Sequence, residues 1–163
     1  MAVEIKGLNS LMKKLDKMVG SVMGALEKAM NNTVRTGISD AQANVPNDTG
    51  MLSQSLVHGS DVKVEPDKVI GIVGTNAYYA AFVEFGTGPK GQANHAGISP
   101  HVPVTYTDQP WVFYSEKFDS YVTTKGQPAR PFLYTAAKTT EPVFKHNVRI
   151  ELEKAIARTA GGG

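Results

Sequence analysis

The sequence predicts an α+β fold, with a small antiparallel sheet packed against helices from both ends of the chain. Three observations carry this. Apolar residues recur at spacings of three and four over the first third of the chain. Short stretches in the middle alternate apolar with polar residues between turns rich in Gly and Pro. The last stretch returns to a helical spacing. With 163 residues, 41% of them apolar and 20% charged, the chain can bury one real core. No internal repeat and no linker divides it, so a single domain over residues 1–163 is expected.

Leu8, Leu11, Met12, Leu15, Met18 and Val19 share one helical face. Lys13, Lys14 and Lys17 fall mostly on the other side and read as a solvated face rather than a DNA-binding patch. Gly20 punctuates. A second helical pattern follows through Val22, Leu26, Met30, Val34, Ile38 and Ala41. Gly24 and Gly37 weaken it, each by about 1 kcal/mol relative to Ala. Close packing or simple tolerance would account for them. Val45-Pro46 ends the helix, because proline disfavours helical geometry in the residue before it.

Asn47-Asp48-Thr49-Gly50 is a turn able to cap a short helix bearing Met51, Leu52, Ser55 and Leu56. Val62 and Val64, then Val69 to Thr75, read as a hairpin turning at Pro66-Asp67-Lys68. Gly71 and Gly74 mark a bulge or a close backbone approach in it. Asn76 is expected to cap a compact aromatic helix of Tyr78, Tyr79, Phe82, Val83 and Phe85 that stops at Gly86. The aromatics are expected to be core.

From Gly86 to His101 the chain reads as one long loop, and loops of that length are usually functional or disordered. No periodic core position lies in it, so excision of Lys90–Ser99 is expected to leave a folded subunit. Two or three strands are expected among Val102–Tyr106, Trp111–Phe113 and, less cleanly, Phe118–Thr124. Gln127-Pro128-Ala129-Arg130-Pro131 is a stiff turn, and Pro131 suits the first turn of a helix. By periodicity the last helix starts near Thr140, with Phe144, Val148, Leu152 and Ile156 at i+4 steps and a Glu141–Lys145 pair. The Gly161–Gly163 tail is expected to fray.

Composition excludes several function classes. The net charge of +2 is too small for a nucleic-acid signature. There is no cysteine, hence no disulfide, thiolate metal site or cysteine nucleophile. Met1–Lys6 carries no apolar stretch of a targeting kind. The most apolar run, Ala77–Val83, falls far short of the roughly 18 residues of a membrane span, so no membrane association is expected.

The chemical motifs are few. Asp48-Thr49-Gly50 matches the triplet of aspartic proteases, in which two such loops meet and two carboxylates share a proton. There the triplet follows an apolar strand; here it follows Pro46-Asn47, which favours a capped turn. His95 and His101 share the long loop with Asn94 and Asp108, without the convergent spacing a metal needs. Gly86–Gly91 is glycine-rich but lacks a phosphate-loop pattern. No catalytic, metal-binding or cofactor-binding residue is therefore assigned. Glu84 is a carboxylate among Phe82, Val83 and Phe85. It either points to solvent or pairs with Arg130, whose planar fork suits such ion pairs.

Three stretches together resemble the lambdoid-phage tail-component family named for gene product ten. The first is Asn44–Leu56, with Asp48, Thr49, Gly50 and Leu52. The second is Asn76–Ala80 followed by Val83–Gly88, holding Tyr79, Glu84, Phe85, Gly86 and Thr87. The third is Gly126–Leu133, where Arg130, Pro131 and Phe132 are similar to a motif that opens the last helix. The ordered set covers about residues 5–155. Ser53 and Gln54 stand where family members often carry basic residues, which argues against DNA contact by that segment.

The resemblance implies a non-enzymatic structural virion protein assembled in the host cytoplasm, one that acts in head–tail joining or tail completion. Its expected partners are copies of itself in a hexameric or dodecameric ring, a head connector or head-closure protein, and a tail terminator or tail tube protein. DNA would be passing cargo. Lys90, His95 and His101 are expected to contact a neighbouring subunit or ring. The rival readings are a small maturation protease using Asp48 and an assembly factor absent from the particle.

Overall fold

The computed structural model describes residues 8–46, 50–115 and 118–160. The expectations for Met1–Lys6, Asn47, Asp48, Thr49 and Gly161–Gly163 fall outside the described residues. The elements in order are α1 (Leu8–Asn44), α2 (Met51–His58), β1 (Asp61–Val64), β2 (Val69–Ile72), α3 (Ala80–Phe85), α4 (Gly88–Ala93), β3 (Trp111–Ser115), β4 (Ser120–Thr124) and α5 (Phe132–Ala160).

The α+β class holds, with helices at both ends. The strands, however, form two separate two-stranded antiparallel sheets, β1–β2 and β3–β4. Each is a local hairpin, and the alternating stretch 102–106 adds no third strand. Pro103 offers no backbone N–H for a ladder. Tyr106 is held otherwise, its hydroxyl donating to the Phe85 carbonyl at 2.7 Å.

Helix α1 is continuous over 37 residues, about 55 Å at 1.5 Å per residue. Gly20 does not break it, since one glycine costs only about 1 kcal/mol relative to Ala. Helix α5 begins at Phe132, eight residues before the start that periodicity gives. Its early start follows from Pro131 and from a carboxylate cap described below. Pro142 lies inside α5 without ending it.

The chain divides into two compact units, one of Thr36–Ser60 with Val73–Thr140, the other of α1 up to Arg35, Asp61–Ile72 and α5 from Glu141. The first unit holds the larger apolar core. Ala41, Val45, Leu52, Leu56, Ala80, Phe132 and Ala136 are buried together, with Ile38, Tyr79, Val83 and Leu133 packed on them. Gly37 is there because a Cβ would stand 2.9 Å from Val73 Cγ2.

The second unit is built on small residues. Ala25, Ala29 and Thr33 step at i+4 along α1 and are buried. The Thr33 hydroxyl donates to the Ala29 carbonyl at 2.7 Å and accepts from Asn147 Nδ2 at 3.1 Å. Hairpin β1–β2 approaches α1 closely at Gly71, where a Cβ would lie 2.8 Å from Val34 Cγ2. The Glu141–Lys145 pair forms on the exposed face of α5 at 2.8 Å.

Candidate functional site: a groove where the motifs meet

The second and third motif stretches, far apart in sequence, are tied to each other by hydrogen bonds. The Thr87 N–H donates to the Gln127 carbonyl at 2.9 Å, and the Gln127 N–H donates back to Thr87 Oγ1 at 3.1 Å. Gln127 Nε2 donates to the Phe82 carbonyl at 2.7 Å. The Arg130 N–H donates to the Val83 carbonyl at 2.9 Å. Gly86 sits inside this knot at φ 73°, and a Cβ on it would lie 2.6 Å from the Ala129 nitrogen. Both the left-handed angle and the close approach demand glycine.

Glu84 completes the knot. It is only 5% exposed, so it does not point to solvent. Nor does it pair with Arg130. Its Oε2 accepts from the Leu133 N–H and its Oε1 from the Tyr134 N–H, both at 2.9 Å. These are free donors of the first turn of α5, where an anion is favoured by the helix dipole as well. The carboxylate is thus a helix cap supplied from 49 residues away, and it fixes α5 to α3. Arg130 is left with its side chain exposed.

Around this knot lies a groove of about 630 Å³. The first stretch lends it Gly50, Met51 and Leu52. Tyr78, Tyr79, Phe82 and Val83 come from the second, and Gln127, Pro128 and Arg130 from the third. All three motif stretches therefore reach one surface. Two of its aromatic residues, Tyr78 and Phe82, are not core. Tyr78 is 89% and Phe82 54% exposed, because Ala80 and Glu84 take the inward positions of the short helix α3. Tyr79, not Asn76, occupies the cap position of α3. Gly50, at φ 72°, takes that of α2.

The remaining singled-out residues separate from the groove. Phe132 is fully buried beneath it, Pro131 precedes it at the start of α5, and Phe85 is half-buried. The stretch 86–101 is not one irregular loop. Pro89 opens the short helix α4, which carries Lys90. Gly91 and Ile98 are buried, a Cβ on Gly91 would lie 2.7 Å from Tyr106 Cε1, and His95 Nδ1 is 3.2 Å from the Tyr106 hydroxyl. Excision of Lys90–Ser99 would remove packing residues, contrary to the expectation from periodicity. His101 is exposed. Among the described residues, no group of His, Asp and Glu side chains could hold a metal ion, and no helix is long and apolar enough to cross a membrane.

Sequence reasoning missed Gln127 as the residue that laces the two stretches together. Its place inside the third motif was the available signal. It also took Tyr78 and Phe82 for core, when an exposed pair at a groove was the alternative.

A family described as "Bacteriophage HK97-gp10, putative tail-component" matches residues 9–86. Over that span the chain is similar to this family. The match takes in the first motif stretch and the second as far as Gly86, and hydrogen bonds from Gln127, Arg130, Leu133 and Tyr134 tie the third stretch to the second. The similarity points to a structural tail component of a bacteriophage. No curated protein and no solved structure matches the chain.

Proposed function

We propose that the chain forms a ring in the neck of a tailed phage, joining head to tail and letting DNA pass through its lumen. The observation that carries this reading is the convergence of the three motif stretches on a groove with exposed Tyr78 and Phe82. A surface of that kind suits docking rather than chemistry: large aromatic side chains anchor protein interfaces. Among the described residues, the buried carboxylate of the motifs, Glu84, is taken up in capping a helix.

Closed rings need two different complementary surfaces on each subunit, and the groove serves as one of them. The ring holds six or twelve copies. It meets a head connector or head-closure protein on one side and a tail terminator or tube protein on the other. Lys90, His95 and His101 are candidates for contacts with a neighbour. Gold labelling of purified particles with an antibody to the chain should mark the neck. A chain abundant in infected cells but absent from particles would instead be an assembly factor, and the reading would fail.

A further inference from the structure

We infer that the solvent face of α1 between Lys13 and Arg35 is the surface that meets the phosphate backbone of duplex DNA. This rests on the assembly reading above, which brings DNA past the chain, and adds which face meets it.

Continuity of α1 creates this face. Split at Gly20, the sequence shows only Lys13, Lys14 and Lys17, a solvated patch. A single helix of 37 residues puts all of its positions in one phase. At 3.6 residues per turn, Lys13, Lys14, Lys17, Lys28 and Arg35 fall within an arc of about 100°. All five are exposed. Asp16 and Glu27, the acids of that span, fall outside the arc. Ser21, Gly24, Asn31 and Asn32 fill it between the cations, so it holds neither an acid nor an apolar side chain.

The charged face of α5 is built differently. Lys145, Arg149 and Lys154 each pair with a glutamate three or four residues away. Among the described residues, no ion pair takes up the five cations of α1. Glu151 of α5 accepts from Lys154 Nζ at 2.6 Å. That hydrogen bond, with Lys28 and Arg158 nearby, holds its carboxyl below the usual carboxylate range. Three cations therefore surround one carboxylate at that edge of the row. Hairpin β1–β2, which carries Asp61, Glu65 and Asp67, packs on the other side of α1, where Gly71 meets Met30 and Val34. Glu4 and Lys6, outside the described residues, precede the row in sequence and cancel in charge. The net charge of +2 conceals the row because the acids lie elsewhere.

Duplex DNA fits this row better than a protein does. Cations, hydroxyls and side-chain amides are the groups that DNA-binding proteins point at phosphates. Protein interfaces bury aromatic anchors instead and are poor in lysine. From Lys13 to Arg35 the row runs about 33 Å at 1.5 Å per residue, close to the roughly 34–36 Å of one turn of the duplex. Phosphate contacts read no base, which suits DNA in transit.

The test is binding of the purified full-length chain to a fluorescent mixed-sequence duplex of about 30 base pairs, nearly three helical turns, over a salt series. Each phosphate neutralised adds roughly −0.9 to the slope of log K against log salt, so the wild type should show a slope of about −4. Lys17→Gln, Lys28→Gln and Arg35→Gln together keep good helix formers. This triple should bind at least about tenfold more weakly, with a slope of about −2. A control triple, Lys63→Gln, Lys125→Gln and Lys145→Gln, removes the same charge at exposed positions elsewhere and should bind as the wild type does. If the first triple misfolds by circular dichroism, Lys13→Gln, Lys14→Gln and Lys28→Gln together report on the same row. Equal losses in the row and control triples would overturn the inference, as would a wild type that binds no DNA at low salt. So would tighter binding to duplex RNA of the same length, or to polyglutamate, which would mark the row as a seat for an acidic protein. Native mass spectrometry of the same samples separates the two readings. A closed ring whose DNA binding ignores the row defeats the inference alone. Row-dependent binding by a chain that stays monomeric supports the inference and defeats the ring.

Discussion

The two compact units are built by different means. The unit of Thr36–Ser60 and Val73–Thr140 buries large side chains, with Phe132 and Leu56 fully enclosed. Its distant segments are laced by hydrogen bonds through Glu84, Thr87, Gln127 and Arg130. The other unit packs on Ala25, Ala29, Thr33 and Ala155 and leaves Leu15, Met18, Val19 and Ile156 exposed. Small residues bring helices close but bury little area, and burial contributes only about 25 cal/mol per Å². The contrast teaches that the three motif stretches belong to the unit that needs distant segments fixed.

The comparison breaks first, if it is wrong, at the centre of the laced unit. Phe132→Ala removes a fully buried ring and should cost about 3–5 kcal/mol by denaturant unfolding. Phe82→Ala, at an exposed ring, should cost well under half of that; equal losses would mean that the groove is core. Glu84→Ala leaves the Leu133 and Tyr134 N–H donors without their acceptor and should cost about 2–3 kcal/mol. Glu84→Gln, which keeps one carbonyl acceptor, should recover part of it. If Glu84→Gln were as damaging as Glu84→Ala, the cap would not be the reason for its burial.

In the other unit the expected effects are smaller and of both signs. Gly71→Ala puts a methyl against Met30 and Val34 and should destabilise by about 1–3 kcal/mol through overpacking. Gly24→Ala meets nothing within 4 Å and should stabilise by up to about 1 kcal/mol. Thermal unfolding of both variants checks the pair. A destabilised Gly24→Ala would show that something covers that face of α1.

Much of this was legible in the residues. The hairpin turning at Pro66, the short helix after Gly50 and the close approach at Gly71 follow from turn chemistry and alternation. The start of α5 was not legible from periodicity, because what begins it is a carboxylate 49 residues away; the motif resemblance placed it better. Helix α1 hid its continuity behind Gly20, since local propensity is a weak force against 37 residues of helix. Tyr78 and Phe82 misled because an aromatic cluster on a short helix looks the same in sequence whether it faces a core or a partner. Ile98 was invisible as a packing residue because its neighbours show no period.

The central claim is that the motif residues build an assembly surface and not merely a fold. Native mass spectrometry of the purified chain beside Phe82→Ser and Arg130→Glu tests it most directly. The wild type should appear as a single closed oligomer of six or twelve copies, while both variants keep their circular dichroism and run as smaller species. Variants that assemble as the wild type does would contradict the claim.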